Sequence, residues 1–280
     1  MKIFILLFLF LSASYSSTVK ILDIYEYKNK DIRELSALAF DGEILYALSD
    51  YGEIHHFKVN IENKIIKLIK HIKSYKLKNK NNKVLKNKKR DSEGLVYKDK
   101  KLYISFERKH RVDIFSIDGR KIKKLKLNKE LKDQKLFVGK NKGFEALGFN
   151  KKYGFIIAPE APFKKGDIHK LYTKKKTYKI KMNGYITALE FISKNKLLVL
   201  ERDYNSLIRR QLITLSLVNL NNCDSDICRS EVLKVLDSYK DKNVDNFEGL
   251  TKIGKNLFLM VSDDNASKFQ KTLFVLFEII

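Results

Sequence analysis

Short apolar runs separated by polar turns dominate the chain, and one pairing of such runs recurs. Glu34-Leu-Ser-Ala-Leu-Ala-Phe40 leads to Leu45-Tyr-Ala-Leu-Ser-Asp50, and Glu93-Gly-Leu-Val-Tyr97 leads to Leu102-Tyr-Ile-Ser-Phe-Glu107. Glu145-Ala-Leu-Gly-Phe149 leads to Phe155-Ile-Ile-Ala-Pro-Glu160, and Thr187-Ala-Leu-Glu-Phe191 leads to Leu197-Leu-Val-Leu-Glu201. Glu248-Gly-Leu-Thr251 leads to Leu257-Phe-Leu-Met-Val-Ser-Asp263. Each copy reads as a short strand, a hairpin turn such as Asp41-Gly42, and a second strand ending in a carboxylate. Further alternating strands follow most hairpins, for example Arg111–Ile117 and Leu212–Val218.

The copies recur every 42 to 61 residues or so, close to the period of propeller blades built from four short strands. The sequence therefore predicts an all-β fold, a β-propeller with five blades visible. The basic segment from Lys64 to Arg90 leaves room for a sixth, degenerate blade. A β-sandwich is the rival architecture, and five copies of one signature favour rotational repetition. The last copy is short of strands and ends in Thr272–Glu278, while Val19–Ile24 is a spare strand near the N-terminus. Pairing these two is expected to close the ring and remove an exposed edge. With 12 Gly and 2 Pro, the chain is lean in turn formers for such a fold.

Met1 and Lys2, the apolar run Ile3–Leu11 and the small residues after it read as a signal peptide over residues 1–17. That run is far short of the roughly 20 residues a membrane-spanning helix needs. Residues 18–280 are then expected to form a single propeller domain, soluble, monomeric, and periplasmic or secreted. Cys223 and Cys228 stand five apart, and in an oxidising compartment such a pair reads as a local disulfide.

The formal net charge is +24. From Lys64 to Arg90 there are twelve Lys or Arg and no acid, but these cations lack interleaved aromatics or a recognisable binding module. They read as solvated strand edges and faces, so no specific nucleic-acid partner is expected. The field would still draw anionic substrates, and electrostatic attachment to anionic envelope polymers fits it.

Against that background the repeated acids stand out. In a propeller the first strand of each blade lines the channel, which places Glu34, Glu93, Glu145 and Glu248 in one ring with Thr187 as the odd member. The antiparallel second strand returns Asp50, Glu107, Glu160, Glu201 and Asp263 to the same mouth. So many carboxylates raise one another's pKa values unless cations intervene. A hard divalent ion, Ca²⁺ foremost, takes six to eight oxygen ligands; Arg108 and Arg202 offer forks suited to carboxylate or phosphate oxygens. No Gly-x-Ser-x-Gly elbow or His-Glu-x-x-His pair is present. His110 lies near the expected mouth, where it could serve as an acid or base, but it reads more readily as a surface histidine.

Asp91-Ser-Glu-Gly-Leu95 with Glu107-Arg108, Leu200-Glu-Arg-Asp203, and Asn246-Phe-Glu-Gly-Leu-Thr251 with Val261-Ser-Asp-Asp-Asn265 resemble the phytase-like family described by an "esterase-like activity of phytase". Ser36-Ala-Leu-Ala-Phe40 with Leu48-Ser-Asp50 is similar to that family's opening blade. The resemblance runs from about Leu22 to the C-terminus. It implies a secreted propeller with phosphoester or carboxylester hydrolase activity. The Asp-rich strings of calcium-dependent β-propeller phytases are absent, which argues against phytate as substrate.

Together these readings predict a metal-assisted hydrolase of a small anionic ester. Glu93, Glu107, Glu201 and Glu248 are its candidate catalytic residues, and Arg108 and Arg202 its substrate-binding residues. Glu34, Glu145, Glu160, Asp263, Asp264 and Asn265 are the candidate metal ligands. The alternative is a non-catalytic propeller of the cell envelope that binds a ligand or protein at the same mouth.

Overall fold

The structure is a computed structural model that describes residues 17–139, 142–164 and 166–280. The expected signal peptide lies outside the described residues, apart from its last residue. The fold is all-β. After β1 (Val19–Glu26), strands β2 (Leu35–Phe40), β3 (Leu45–Ser49), β4 (Glu53–Glu62) and β5 (Ile65–Lys76) form one four-stranded antiparallel sheet. A second contains β6 (Ser92–Lys98), β7 (Lys101–Phe106), β8 (Arg111–Ser116) and β9 (Lys121–Lys124). Strands β10 (Phe144–Asn150), β11 (Gly154–Pro159), β12 (His169–Tyr172) and β13 (Thr177–Ile180) make a third meander. The fourth has β14 (Tyr185–Phe191), β15 (Lys196–Asn205), β16 (Arg210–Asp224) and β17 (Ile227–Asp237). The third and fourth meanders join through a short parallel pairing of their outer strands, β13 and β17, into one eight-stranded sheet. The Cys223–Cys228 disulfide closes the β16–β17 hairpin.

The last sheet is β18 (Asn246–Lys252), β19 (Leu257–Asp263), β20 (Leu273–Ile279) and then β1. Here β1 pairs antiparallel with β20, from Val19 opposite Ile279 to Glu26 opposite Leu273. The N-terminal strand thus completes the last sheet, as its spare apolar face predicted. The basic segment after Lys64 makes no sheet of its own. Its first part is β5, an outer strand with alternating exposure, and the rest is loop and a short 3-10 turn.

First strands pack on one another in cyclic order: β2 on β6, β6 on β10, β10 on β14, β14 on β18, and β18 on β2. The core is accordingly split into clusters that sit between neighbouring sheets. Ala37, Tyr46 and Leu48 meet Leu95, Ile104 and Phe106, and Leu198 and Leu200 meet Phe247, Phe258 and Met260. Leu259, Val261 and Phe274 meet Leu35, Leu38 and Phe57 and seal the ring. Both faces of the inner strands are therefore buried, which explains their near-continuous apolar text. The arrangement is propeller-like, with a narrow central channel.

Candidate metal centre

Every first strand carries a β-bulge near its start. Pairing skips between Leu35 and Ala37, Ser92 and Leu95, Phe144 and Ala146, Ile186 and Ala188, and Phe247 and Gly249. A bulge frees a residue from the ladder and re-aims its side chain. The freed residues are Ser36, Glu93, Glu145, Thr187 and Glu248. The carboxylates of Glu93, Glu145 and Glu248 converge, with one oxygen from each lying within 4.8 Å of the others, and all three residues are buried. The two hydroxyls close the remaining sectors by stapling adjacent sheets. Ser36 Oγ donates to Ser92 O at 2.9 Å, and Thr187 Oγ1 donates to Phe247 O at 3.3 Å.

The residue after each bulge is small: Ala37, Gly94, Ala146, Ala188 and Gly249. A Cβ on Gly94 would lie 2.7 Å from Glu145 O of the next sheet and 2.5 Å from Ser105 Oγ. Inner strands approach too closely there for more volume. Next come Leu38, Leu95, Leu147, Leu189 and Leu250, which line a gap of only about 10 Å³ below the carboxylates. That is roughly room for one water. The leucines therefore plug the channel, and the acids open toward one mouth.

A second ring follows from the same register. The partners of the residues before the bulges are Ser49, Phe106, Pro159, Glu201 and Ser262. The residues after those are Asp50, Glu107, Glu160, Arg202 and Asp263. Two expectations are corrected here. The first repeat contributes Ser36 to the inner ring and not Glu34, because Glu34 stands two residues ahead of the bulge. It has a positive φ of 51°, and its carboxylate accepts from Tyr51 Oη at 2.8 Å. In the fourth repeat the mouth position belongs to Arg202 and not Glu201. Glu201 turns away, accepting from Ser216 Oγ at 2.6 Å and from the amides of Asn183 and Gly184 at 3.0 and 3.3 Å. The "small-Leu" pair after each bulge was the sequence signal that sets both registers.

Arg202 is spent on acids. Its guanidinium lies 2.5 Å from Glu248 Oε1, 3.1 Å from Glu160 Oε1 and 2.5 Å from Asn246 Oδ1. Burial opposes its charge, but Glu248, Glu145 and Glu160 outweigh that and hold it protonated. Lys142 Nζ adds a second bridge to Glu160 at 2.8 Å. Arg108 sits outside this cluster, on the rim, 2.6 Å from Asp91 Oδ2. Asp264 caps the junction of the last and first sheets, accepting from Arg33 Nε and the Glu34 amide at 2.8 and 3.0 Å. Asn265 is exposed, and its amide donates to Asp263 Oδ1 at 2.8 Å. His110 is half-buried against Phe137 and Phe144, with ring centroids 3.9 and 5.3 Å away; burial lowers its pKa to about 4, unlike the surface histidine expected.

The remaining acids are poorly compensated. Burial first, and then Asp50, Glu145 and Glu248, push Glu93 well above the usual carboxylate range. Burial and Glu160 do the same to Glu145. Asp50 is raised by burial and by Glu248 and Asp263, and its buried Oδ1 has no hydrogen-bond partner among the described residues. Glu107 and Asp263 are each pushed up to about 8, mainly by burial.

The donor set fits a hard cation. All the groups are oxygens, and one triad is Glu93, Glu145 and Glu248 while another is Glu107, Glu145 and Glu160. Two ligands on opposite sides of a Ca²⁺ ion lie about 4.6 to 5.2 Å apart, so oxygens that all lie within 4.8 Å of one another are no farther apart than one ion can bridge. The orphaned Asp50 oxygen is a further donor beside them. Toward solvent the mouth opens into a cleft of about 840 Å³ that Lys142, Tyr185, Arg202, Tyr204 and Asn246 help to line.

The profile of the phytase-like family, described as esterase-like activity of phytase, matches residues 30–266. The chain belongs to the phytase-like family. The match includes both acid rings, and it ends just past Asp263, Asp264 and Asn265. No curated protein sequence matches the chain. Among solved structures the phytase-like chain is similar to the PQQ-bound form of aldose sugar dehydrogenase from Streptomyces coelicolor. The TM-score is 0.52 at 9 % identity, over 95 % of this chain and 99 % of that one. At that identity the likeness concerns the fold alone. No helix among the described residues is long and apolar enough to cross a membrane.

Proposed function

We propose that this phytase-like chain is an exported five-bladed propeller that holds a divalent cation, Ca²⁺, at its acid mouth and hydrolyses a small anionic ester there. The convergence of Glu93, Glu145 and Glu248 within 4.8 Å carries the reading. Seven acids from the two rings share the mouth with Arg202 and Lys142 as their bonded cations among the described residues, an arrangement that ionises fully with further positive charge. Glu93, Glu145, Glu248 and Asp50 would hold the ion. It would supply Lewis acidity and charge neutralisation for an ester oxygen.

The chain's own groups do the rest. Glu107, whose carboxyl burial pushes up to about 8, stands in the ring next to the triad, from where it would give a proton to a leaving alkoxide. Arg202 keeps Glu248 and Glu160 in position, and Arg108 on the rim is the fork left to meet an approaching anion. The leucine plug limits water to the mouth side. The disulfide supports export to an oxidising compartment.

A second reading is favoured by the burial of the triad, with Glu93, Glu145 and Glu248 each 6 % exposed. An ion so enclosed would pin three blades together in a non-catalytic ligand-binding propeller. Hydrolysis of p-nitrophenyl phosphate and p-nitrophenyl acetate, with Ca²⁺ and with chelator, separates the two. Ca²⁺-dependent turnover that Glu248→Gln abolishes supports the hydrolase. Bound metal without turnover of either ester leaves the non-catalytic reading, and neither metal nor turnover removes both.

A further inference from the structure

The cleft above the acid mouth is bordered by apolar side chains that the fold leaves bare. Leu207 is 94 % exposed and Phe269 97 %. Leu207 is at the tip of the β15–β16 turn, and Phe269 is in the loop between β19 and β20. Phe269, Tyr204 and Arg209 line the same cleft, so the two tips flank one opening. Tyr239 from the next loop donates to Ile208 O and ties the turn in place; Tyr239 and Ile208 are themselves 61 % and 49 % exposed.

Cations stand between these tips. Arg209 and Lys242 line the cleft, and neither has an ion-pair partner among the described residues. Two acids flank Lys242 in sequence: Asp241 accepts from the Asn243 amide at 2.8 Å, and Asp245 is used internally, accepting from the Lys271 and Asn246 amides and from Gln270 Nε2. Lys240, in the β17–β18 loop with Tyr239 and Lys242, and Lys268, beside Phe269, are both exposed. A free small anion would pair with the cations and leave Leu207 and Phe269 in water. A folded partner would need a complementary surface for two isolated convex tips on separate loops. A fluid anionic bilayer admits isolated apolar side chains below its headgroups and draws Lys and Arg to its surface, the two signals that together give stable interfacial attachment.

We propose that the acid-mouth face docks on an anionic lipid bilayer, with Leu207 and Phe269 entering the interface and Arg209 and Lys242 resting on the headgroups. The inference is independent of metal binding and of ester hydrolysis. It is tested with the mature chain and large unilamellar vesicles in a sedimentation assay. Vesicles of phosphatidylcholine with phosphatidylglycerol are expected to retain the protein at least tenfold better than phosphatidylcholine alone. The Leu207→Ser/Phe269→Ser double variant and the Arg209→Gln/Lys242→Gln double variant are each expected to lose about tenfold in partitioning. Thermal melting checks that these exposed substitutions leave the fold intact. No retention by anionic vesicles overturns the proposal. So does equal retention of wild type and the apolar variant, which would assign binding to the general basic surface. A wild-type dimer in solution that the apolar variant makes monomeric would assign the tips to a second copy of the chain.

Discussion

Arg202 lies 2.5 Å from Glu248 at the mouth position that Asp50, Glu107, Glu160 and Asp263 occupy in the other units. One cation in a ring of acids makes the site asymmetric. It neutralises the Glu160 and Glu248 side of the mouth and leaves the Asp50 and Glu93 side unpaired.

Removing that cation strands buried carboxylates. Arg202→Gln keeps some hydrogen-bonding capacity but loses the charge. Breaking a buried pair from one side costs about 3–5 kcal/mol, and a loss of that order is expected in urea unfolding of the metal-free protein at neutral pH. A loss below about 1 kcal/mol would mean that Glu160 and Glu248 are already protonated or solvated without it.

The raised carboxyls set a pH dependence with a definite sign. Glu107 and Asp263 titrate near 8 in the fold against ordinary values of 4.5 and 3.8. An acid whose folded pKa is raised stabilises fully below its unfolded value, and that stability drains away as pH rises through the folded value. The melting temperature of chelated protein should therefore fall between about pH 4.5 and 8. A divalent cation needs its carboxylate ligands ionised, and Asp50, Glu93, Glu145 and Glu248 are raised in the same sense, so the melting shift on adding Ca²⁺ should widen as pH rises across that window. A Ca²⁺ shift that is absent, or flat with pH, contradicts a cation at this mouth.

Much of this was legible in the chain. Repeated apolar pairs ending in acids announced the sheets, and the spare apolar strand Val19–Ile24 announced the closure on β20. The mouth was legible only to within a residue or two. A bulge adds one residue without changing the apolar text, so Glu34 looked equivalent to Glu93, although Ser36 takes that place. Likewise Glu201 looked like a terminal acid, although the ladder runs on and puts Arg202 at the rim. The small-then-Leu step marks the true register because steric approach and the channel plug depend on it, whereas a carboxylate is tolerated at several nearby positions. The exposed tips Leu207 and Phe269 carry no pattern, since only the packing of their loops decides exposure.

Gly94 tests that steric step. Its Cβ would meet Ser105 Oγ at 2.5 Å and the Glu145 carbonyl at 2.7 Å, and a backbone oxygen of the adjoining inner strand cannot swing aside. Gly94→Ala is expected to lower stability by about 1–3 kcal/mol and to weaken Ca²⁺ binding by displacing Glu145. Ala146→Gly, at the equivalent place one sheet on, makes no clash; it adds chain freedom and removes a buried methyl, at about 1–2 kcal/mol. Unchanged stability and unchanged Ca²⁺ affinity in Gly94→Ala would dismiss close strand approach as the reason for the small residue.

Asp50 and Glu248 should respond to neutralisation with opposite signs. Glu248 is held by Arg202 and by Asn246 Nδ2 at 2.9 Å, so Glu248→Gln abandons a buried guanidinium and destabilises the metal-free protein. Asp50 is raised well above the usual range by burial and by Glu248 and Asp263, and its Oδ1 is unpartnered. In the chelated protein at pH 8 it is an unwelcome acid. Asp50→Asn, neutral at every pH, should then stabilise that form. Both substitutions remove an anionic oxygen from the mouth, so both should weaken Ca²⁺ binding by isothermal titration. Stabilisation of the chelated form together with loss of Ca²⁺ affinity in Asp50→Asn is the signature of a carboxylate retained for a ligand. If Asp50→Asn instead destabilises the chelated protein as Glu248→Gln does, Asp50 is part of the fold's own polar network and is not a metal ligand.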